Sequence, residues 1–220
     1  MSTLDRKLPW IIMLAAAVAG LAGYGLSQHV FDQRERNIAE VRRLSGSLLY
    51  PEPKPLPEFQ LQRADGTPLS RRDWTGQWRL VFFGFTHCPD VCPTTLSTLK
   101  AAIGQLLAER PQAAVAVSFV SVDPARDAPE QLGNYVHFFN PGFEAATGSD
   151  EQLLALTQAL GVLYSKSPTG PGPMDYTIDH TASILIIDPE GRLAGLMRPP
   201  HQSSAIVADL KTLLDGQGNP

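Results

Sequence analysis

The stretch Trp78–Leu96, WRLVFFGFTHCPDVCPTTL, runs from an apolar segment straight into Cys88, Cys92 and a proline. Trp78–Phe85 has strand length and is apolar at both alternating sets of positions, which predicts a central strand buried on both faces. Beyond it, Leu96, Leu99, Ile103, Leu106 and Leu107 recur at helical spacing, with Pro93 suited to a first helical turn. The two cysteines, the only ones in the chain, therefore fall where strand gives way to helix.

That position prepares thiol chemistry. At a helix start, positions i and i+4 share a face. They also lie beside unpaired backbone N–H groups and the positive end of the helix dipole, which favour thiolate. Thiolate serves as metal ligand, redox nucleophile and disulfide precursor alike. The C-x-x-x-C spacing opens a wider bite than the C-x-x-C of disulfide exchange, yet still permits a disulfide. Two thiolates undersupply zinc, which takes four ligands. Copper(I), being soft, suits two sulfurs and one nitrogen. A mere staple would gain little, because a bridge closing so short a loop constrains the unfolded chain least.

Five histidines could supply the nitrogen. His29 adjoins the apolar N-terminal run, where a membrane-boundary role suffices. His137 falls in a helical pattern and reads as a surface or partly buried residue. His201 lies in a Pro-rich loop and reads as a cap or a solvated group. His87 adjoins Cys88, but its side chain should diverge from the thiol face, so it is a candidate for an outer contact only. His180 follows the loop SPTGPGPMDYTID and begins the apolar segment TASILIID. Such a loop-to-strand position could bring it to the thiols, although spacing alone equally permits an ordinary structural role.

Outward from the cysteines, the pattern is that of one α/β domain. FQLQRADGTPLS alternates around Asp65-Gly66, a hairpin signal. Ala114–Asp123 reads as a second buried strand. Ala128–Phe139 and Ser149–Gly161 read as helices, the second capped by Ser149 with acids in its first turn. His180–Arg198 reads as strand, turn and strand, and Ser203–Gly216 as a closing helix. The order β-α-β-α-α-β-β-α, with thiols at the first strand-to-helix junction, predicts an α/β thioredoxin-like fold.

Before this domain the chain changes character. No charged residue occurs from Leu8 to Phe31, and Trp10–Leu26 is strongly apolar. A bilayer core requires ~20 apolar residues as helix. The expected organisation is a short tail (1–9), a transmembrane anchor (10–28), a stalk and Pro-rich linker (29–57) and the domain (58–216). A cleaved signal peptide is the competing reading. The prolines at 51, 53, 55 and 57 predict an extended, solvated spacer. Basic residues are more numerous after the apolar run than before it, which mildly opposes a cytoplasmic N-terminus.

Hydrophobic residues make up 43% of the 220-residue chain and charged residues 18%, an ordinary globular composition. Through Arg43 there are six Lys/Arg and four Asp/Glu, leaving twelve and eighteen for the rest. An acidic domain without a basic stripe argues against nucleic-acid binding.

Three segments together carry a resemblance. CPDVCP (Cys88–Pro93), SVDPARDAPEQL (Ser121–Leu132) and DHTASILIIDPEGRL (Asp179–Leu193), behind an N-terminal apolar span, resemble the SCO/SenC copper-binding proteins over about Leu56–Leu214. The resemblance implies a membrane-tethered thioredoxin-like domain that binds copper(I) or copper(II) through Cys88, Cys92 and His180. It implies service to the copper-A centre of cytochrome c oxidase subunit II, by copper delivery, by reduction of the target cysteines, or both. Copper donors, thiol reductants and the membrane are the implied partners. For a bacterial chain it implies a single inner-membrane pass with the domain in the periplasm, against the basic-residue count. Ala128 stands where Thr is common, with no functional effect expected. In a redox role Cys88, nearer the helix start, would be the nucleophile and Cys92 the resolving thiol. A thiol peroxidase would leave His180 without a purpose. Asp123 and Asp179 could tune the site from outside it, their plainer roles being a strand-end turn and a local cap.

Overall fold

The computed structural model describes residues 13, 18–25, 27–28 and 42–216. The chain divides into two compact units, residues 1–41 and 42–220. Residues 10–12, 14–17 and 26 of the expected 10–28 anchor, and the stalk from 29 to 41, lie outside the described residues. Those described before residue 42 are helical. Among the described residues, no helix is long and apolar enough to cross a membrane.

The second unit is organised around the quoted stretch. Trp78–Gly84 forms β5, and all seven of its residues are buried. It lies in the middle of a nine-stranded mixed sheet ordered β1-β2-β11-β10-β5-β6-β7-β3-β4. These strands are β1 (Arg42–Arg43), β2 (Ser47–Pro55), β3 (Gln60–Arg63), β4 (Pro68–Ser70), β6 (Val115–Ser121), β7 (Glu144–Thr147), β10 (Ile184–Ile187) and β11 (Arg192–Met197). Val91–Glu109 forms α1, which carries the chain from β5 to β6. Those two strands are parallel, Trp78 opposite Val115 and Gly84 opposite Ser121. On its other side β5 pairs antiparallel with β10, Ile184 opposite Phe82. The order β11-β10-β5-β6, with a helix crossing from β5 to β6, is the expected thioredoxin-like frame.

The remaining helices are α2 (Pro129–Phe139), α3 (Asp150–Leu160) and α4 (Ser203–Leu214). Ser149 caps α3, its Oγ accepting from Gln152 N–H at 3.3 Å, as its position predicts. α1 packs along α4 and touches α2, burying Leu96, Leu99, Ile103 and Leu106. Each such side chain contributes ~1.5–3 kcal/mol by leaving water. Arg79 is the one charged residue of β5. It is held by Glu144 at 2.9 Å, Ser118 Oγ at 2.6 Å and the Asp73 carbonyl at 3.0 Å, the pairing that a buried guanidinium requires.

Two expectations are corrected. The proline run is not a solvated spacer: Ser47–Pro55 is β2, antiparallel to β11. The ladder shifts so that Tyr50–Pro53 stand where β11 offers only Ala194. Pro51 and Pro53, which have no N–H to donate, fall in that gap. Gly195 allows the close approach, since a Cβ there would lie 2.3 Å from the Leu48 carbonyl oxygen. Asp209 on α4 fastens the start of β2. Its carboxylate accepts from Ser45 N–H at 2.7 Å, Gly46 N–H at 2.9 Å and Ser47 Oγ at 2.5 Å. The compact unit therefore begins at Arg42, not near Glu58.

The second correction concerns SPTGPGPMDYTID. It is not a plain loop but the tip and return of a two-stranded hairpin, β8 (Tyr164–Pro168) and β9 (Tyr176–His180), outside the nine-stranded sheet. His180 thus ends a strand rather than beginning one.

Candidate metal centre

The sulfur side of the site comes from the end of β5 and the first turn of α1. Cys88 N–H donates to the Phe85 carbonyl at 3.3 Å, closing a turn. Asp127, fully buried on the loop after β6, fastens the same segment by accepting from Thr86 N–H at 2.9 Å and Thr86 Oγ1 at 2.6 Å. Cys92 is 0% exposed and Cys88 8%. Gly84 makes room for Cys92, because a Cβ there would lie 2.7 Å from its Sγ and 2.9 Å from the Phe119 ring.

The nitrogen side comes from the hairpin. Tyr164 pairs with His180, and Thr181 N–H donates to the Leu163 carbonyl at 2.8 Å. The His180 ring meets Phe82 and Phe85 edge-on, at centroid distances of 5.9 and 6.0 Å. Its Nδ1 lies 3.1 Å from the Thr181 carbonyl. A carbonyl only accepts, so Nδ1 carries the proton and Nε2 keeps its lone pair. Nε2 lies 3.4 Å from Cys92 Sγ. The two sulfurs and an imidazole nitrogen all fall within 4.8 Å of one another. The structure thus brings Cys88, Cys92 and His180 together, and both thiols are free.

The thiols are unequal. The hydrogen bond from Cys92 pulls Cys88 down to about 4 against the opposing effect of burial, with help from the N–H groups of Cys92 and Asp90. Cys92, as donor to Cys88 and as the more buried sulfur, is pushed up. At neutral pH one proton is therefore shared between two sulfurs, with Cys88 the thiolate.

A polar clamp ties the hairpin to the loop between β6 and α2. Arg126 Nε donates to Asp123 at 2.5 Å and Arg126 Nη1 to the Tyr176 carbonyl at 2.7 Å. The guanidinium lies 3.7 Å from the centroid of the Tyr176 ring, within cation–π range. Tyr176 OH donates to the buried Asp123 at 2.5 Å. Burial, joined by the hydrogen bond to Asp123, pushes the Tyr176 phenol up to about 12.

Asp123 therefore acts on the clamp and not on the sulfurs. Asp179 accepts from Ser167 across the hairpin at 2.7 Å. His137 is exposed on α2, and His201 bonds the Ala182 carbonyl at 2.8 Å. His29 lies outside the described residues. The sequence reading did not single out Arg126, Asp127 or Tyr176. Two of them stand inside the SVDPARDAPEQL segment, but nothing local marks a partner about fifty residues away.

A family model described as SCO1/SenC matches residues 51–215. A Stutzerimonas stutzeri protein is 36% identical over 170 residues, covering 77% of this chain and 82% of its own. Against the mitochondrial SCO relatives from cattle and human, the chain spans 66% and 65% of their length. Among solved structures, the copper-bound ScoI of Arabidopsis thaliana superposes with a TM-score of 0.66 at 32% identity, covering 73% of this chain and 98% of that one. The apo Sco1 of Thermus thermophilus gives 0.69 at 40% identity, covering 78% and 97%. With the frame, the thiol pair and the facing histidine in place, the chain belongs to the SCO1/SenC family.

Proposed function

We propose that this protein is a membrane-anchored copper chaperone. It holds copper(I) or copper(II) on Cys88, Cys92 and His180 and delivers it to the copper-A site of cytochrome c oxidase subunit II. One observation carries this reading: two sulfurs and an imidazole nitrogen converge within 4.8 Å, and among the described residues no fourth ligand joins them. That donor set underfills zinc but suits copper(I). Copper-bound relatives of the same fold support it. Copper(II) on the same thiolates risks reducing the metal and closing a Cys88–Cys92 disulfide. The apolar N-terminal run supports a single membrane pass, and membership of the SCO1/SenC family supports an inner-membrane pass with the domain in the periplasm.

The chain's own contribution is to prepare the ligands. Cys88 is already ionised, His180 already presents Nε2, and the core and Gly84 hold Cys92 in place. The test is competition for copper(I) between the reduced full-length chain in detergent and a chromophoric chelator. His180→Ala is expected to weaken binding and change the metal's spectrum. Unchanged affinity and spectrum would remove the ligand assignment.

The ionised, free Cys88 favours a second reading, reduction of the oxidase's copper-site cysteines. The Cys88 thiolate would attack one sulfur of the target disulfide and expel the other as thiolate. Cys92 would then lose its proton and attack Cys88, releasing the second target thiolate. Two electrons pass to the target, and the protein ends as the Cys88–Cys92 disulfide. A metal-free reduced chain that leaves a copper-A-site disulfide intact would remove this reading.

A further inference from the structure

We propose that His201 is a positioning residue for copper binding: it pins the backbone against which the His180 ring rests, and so keeps that ring aimed at the two sulfurs. This rests on the copper reading above.

His180 closes β9, and β10 begins at Ile184. Thr181–Ser183 therefore carry the chain from the outlying hairpin back into the nine-stranded sheet, with no strand pairing of their own. A run of hydrogen bonds fixes them instead. On the hairpin side, Thr181 N–H donates to the Leu163 carbonyl at 2.8 Å, and Thr181 Oγ1 accepts from Leu163 N–H at 3.0 Å. The Thr181 carbonyl faces His180 Nδ1 at 3.1 Å. The next carbonyl, that of Ala182, accepts from His201 Nε2 at 2.8 Å.

Neighbouring peptide planes turn about only two soft dihedrals, those of the residue between them. With Thr181 N–H held on one side and the Ala182 carbonyl on the other, the Thr181 carbonyl has little room to swing. That carbonyl is the contact that orients the ligand ring. Metal-binding histidines depend on such a partner, and losing it weakens the site. His201 acts one bond further out, by holding the partner itself.

The placement of His201 suits this role. It stands on the connection between β11 and α4, two elements set in the core. β11 lies between β2 and β10, and α4 buries Ile206, Val207, Leu210 and Leu213. The ring is half-buried, and the cap position of α4 belongs to Gln202. His201 is thus neither the cap nor the solvated group that its Pro-rich surroundings suggest. A carbonyl only accepts, so the bond needs a hydrogen on Nε2, which the ring can supply neutral or protonated. Its charge does not enter. Elsewhere, His87 stays half-exposed against Thr86 and Asp127, and His137 stays exposed on α2. β9 is thereby tied at both ends, by Arg126 at the Tyr176 carbonyl and by His201 just beyond His180.

The test uses the reduced full-length chain in detergent, without oxygen, with bicinchoninate competing for copper(I). His201→Phe keeps a ring but has no N–H to give, and its affinity should fall about tenfold. His201→Gln, whose amide N–H reaches a similar point, should bind as the parent does. Added to His180→Ala, His201→Phe should cost no further affinity, because the residue it acts through is gone. Histidine-selective 15N NMR of the metal-free parent should show a hydrogen on Nε2 of His201. Unchanged affinity in His201→Phe would overturn the proposal. So would an equal loss with and without His180, or a loss in His201→Gln as large as in His201→Phe, since each marks a role in packing alone. A bare Nε2 on His201, read in the parent without any variant, would overturn it as well. A parent chain that binds no copper would overturn the copper reading and this proposal together, whereas the other outcomes leave the copper reading standing.

Discussion

The two halves of the site are built in opposite ways. The sulfurs stand at the end of β5, where every residue is buried and both neighbouring strands are core. The imidazole stands at the end of a hairpin outside that sheet, where only Ile178 of the ten strand residues is fully buried. Packing holds the first half, and a handful of polar contacts hold the second. Stability and affinity should therefore separate. Changes in the sulfur half strike both, while changes in the hairpin strike the site and spare the fold.

The largest effect falls on the deepest ligand. Cys92→Ser should reduce copper(I) affinity by far more than the ~10–100-fold that outer contacts cost, as chelator competition would show. Next, Gly84→Ala should force Cys92 and Phe119 aside, lowering stability by ~1–3 kcal/mol and weakening copper binding as well. Denaturant unfolding and metal competition on the same variant check that coupling.

Arg126→Met tests the other half. It breaks the bonds to Asp123 and the Tyr176 carbonyl while keeping bulk against the Tyr176 ring. Copper affinity should fall ~10–100-fold, with a loss of stability confined to the cost of leaving the buried Asp123 carboxylate without its cation. An equal loss of stability and affinity would erase the distinction between the halves.

The smallest effect concerns protons. Cys88 lies at about 4 and Cys92 is pushed up. Around neutral pH, copper(I) binding should therefore release about one proton, from Cys92, rather than two. The sign follows from Cys88 being a thiolate above about 4 and a thiol below it, so the count rises toward two as pH falls through that value. Calorimetry in buffers of differing ionisation enthalpy reads the number directly.

The same division governed what the sequence disclosed. β5, α1, β6, β10 and α4 were legible because burial writes a period into the chain. The cysteine pair was legible from its place at a strand-to-helix junction. The hairpin carries little apolar signal, so it read as a loop, and His180 stood out only through the family resemblance. β7 has four residues, too few to show a period. β2 was hidden by prolines whose missing N–H groups fall where the ladder skips. The clamp of Arg126, Asp123 and Tyr176 was not legible, since side chains some fifty residues apart leave no local trace of their pairing.

One consequence belongs to the carboxylate of Asp209, which clasps three donors at residues 45–47. It turns the proline segment from a leash into a mooring. Paired to β11 at 47–49 and again at 54–55, this segment cannot act as a hinge. Asp209→Ala should loosen this mooring and lengthen the leash from its inner end. Proteolysis would then appear within 45–55 while the distant sulfurs remain undisturbed.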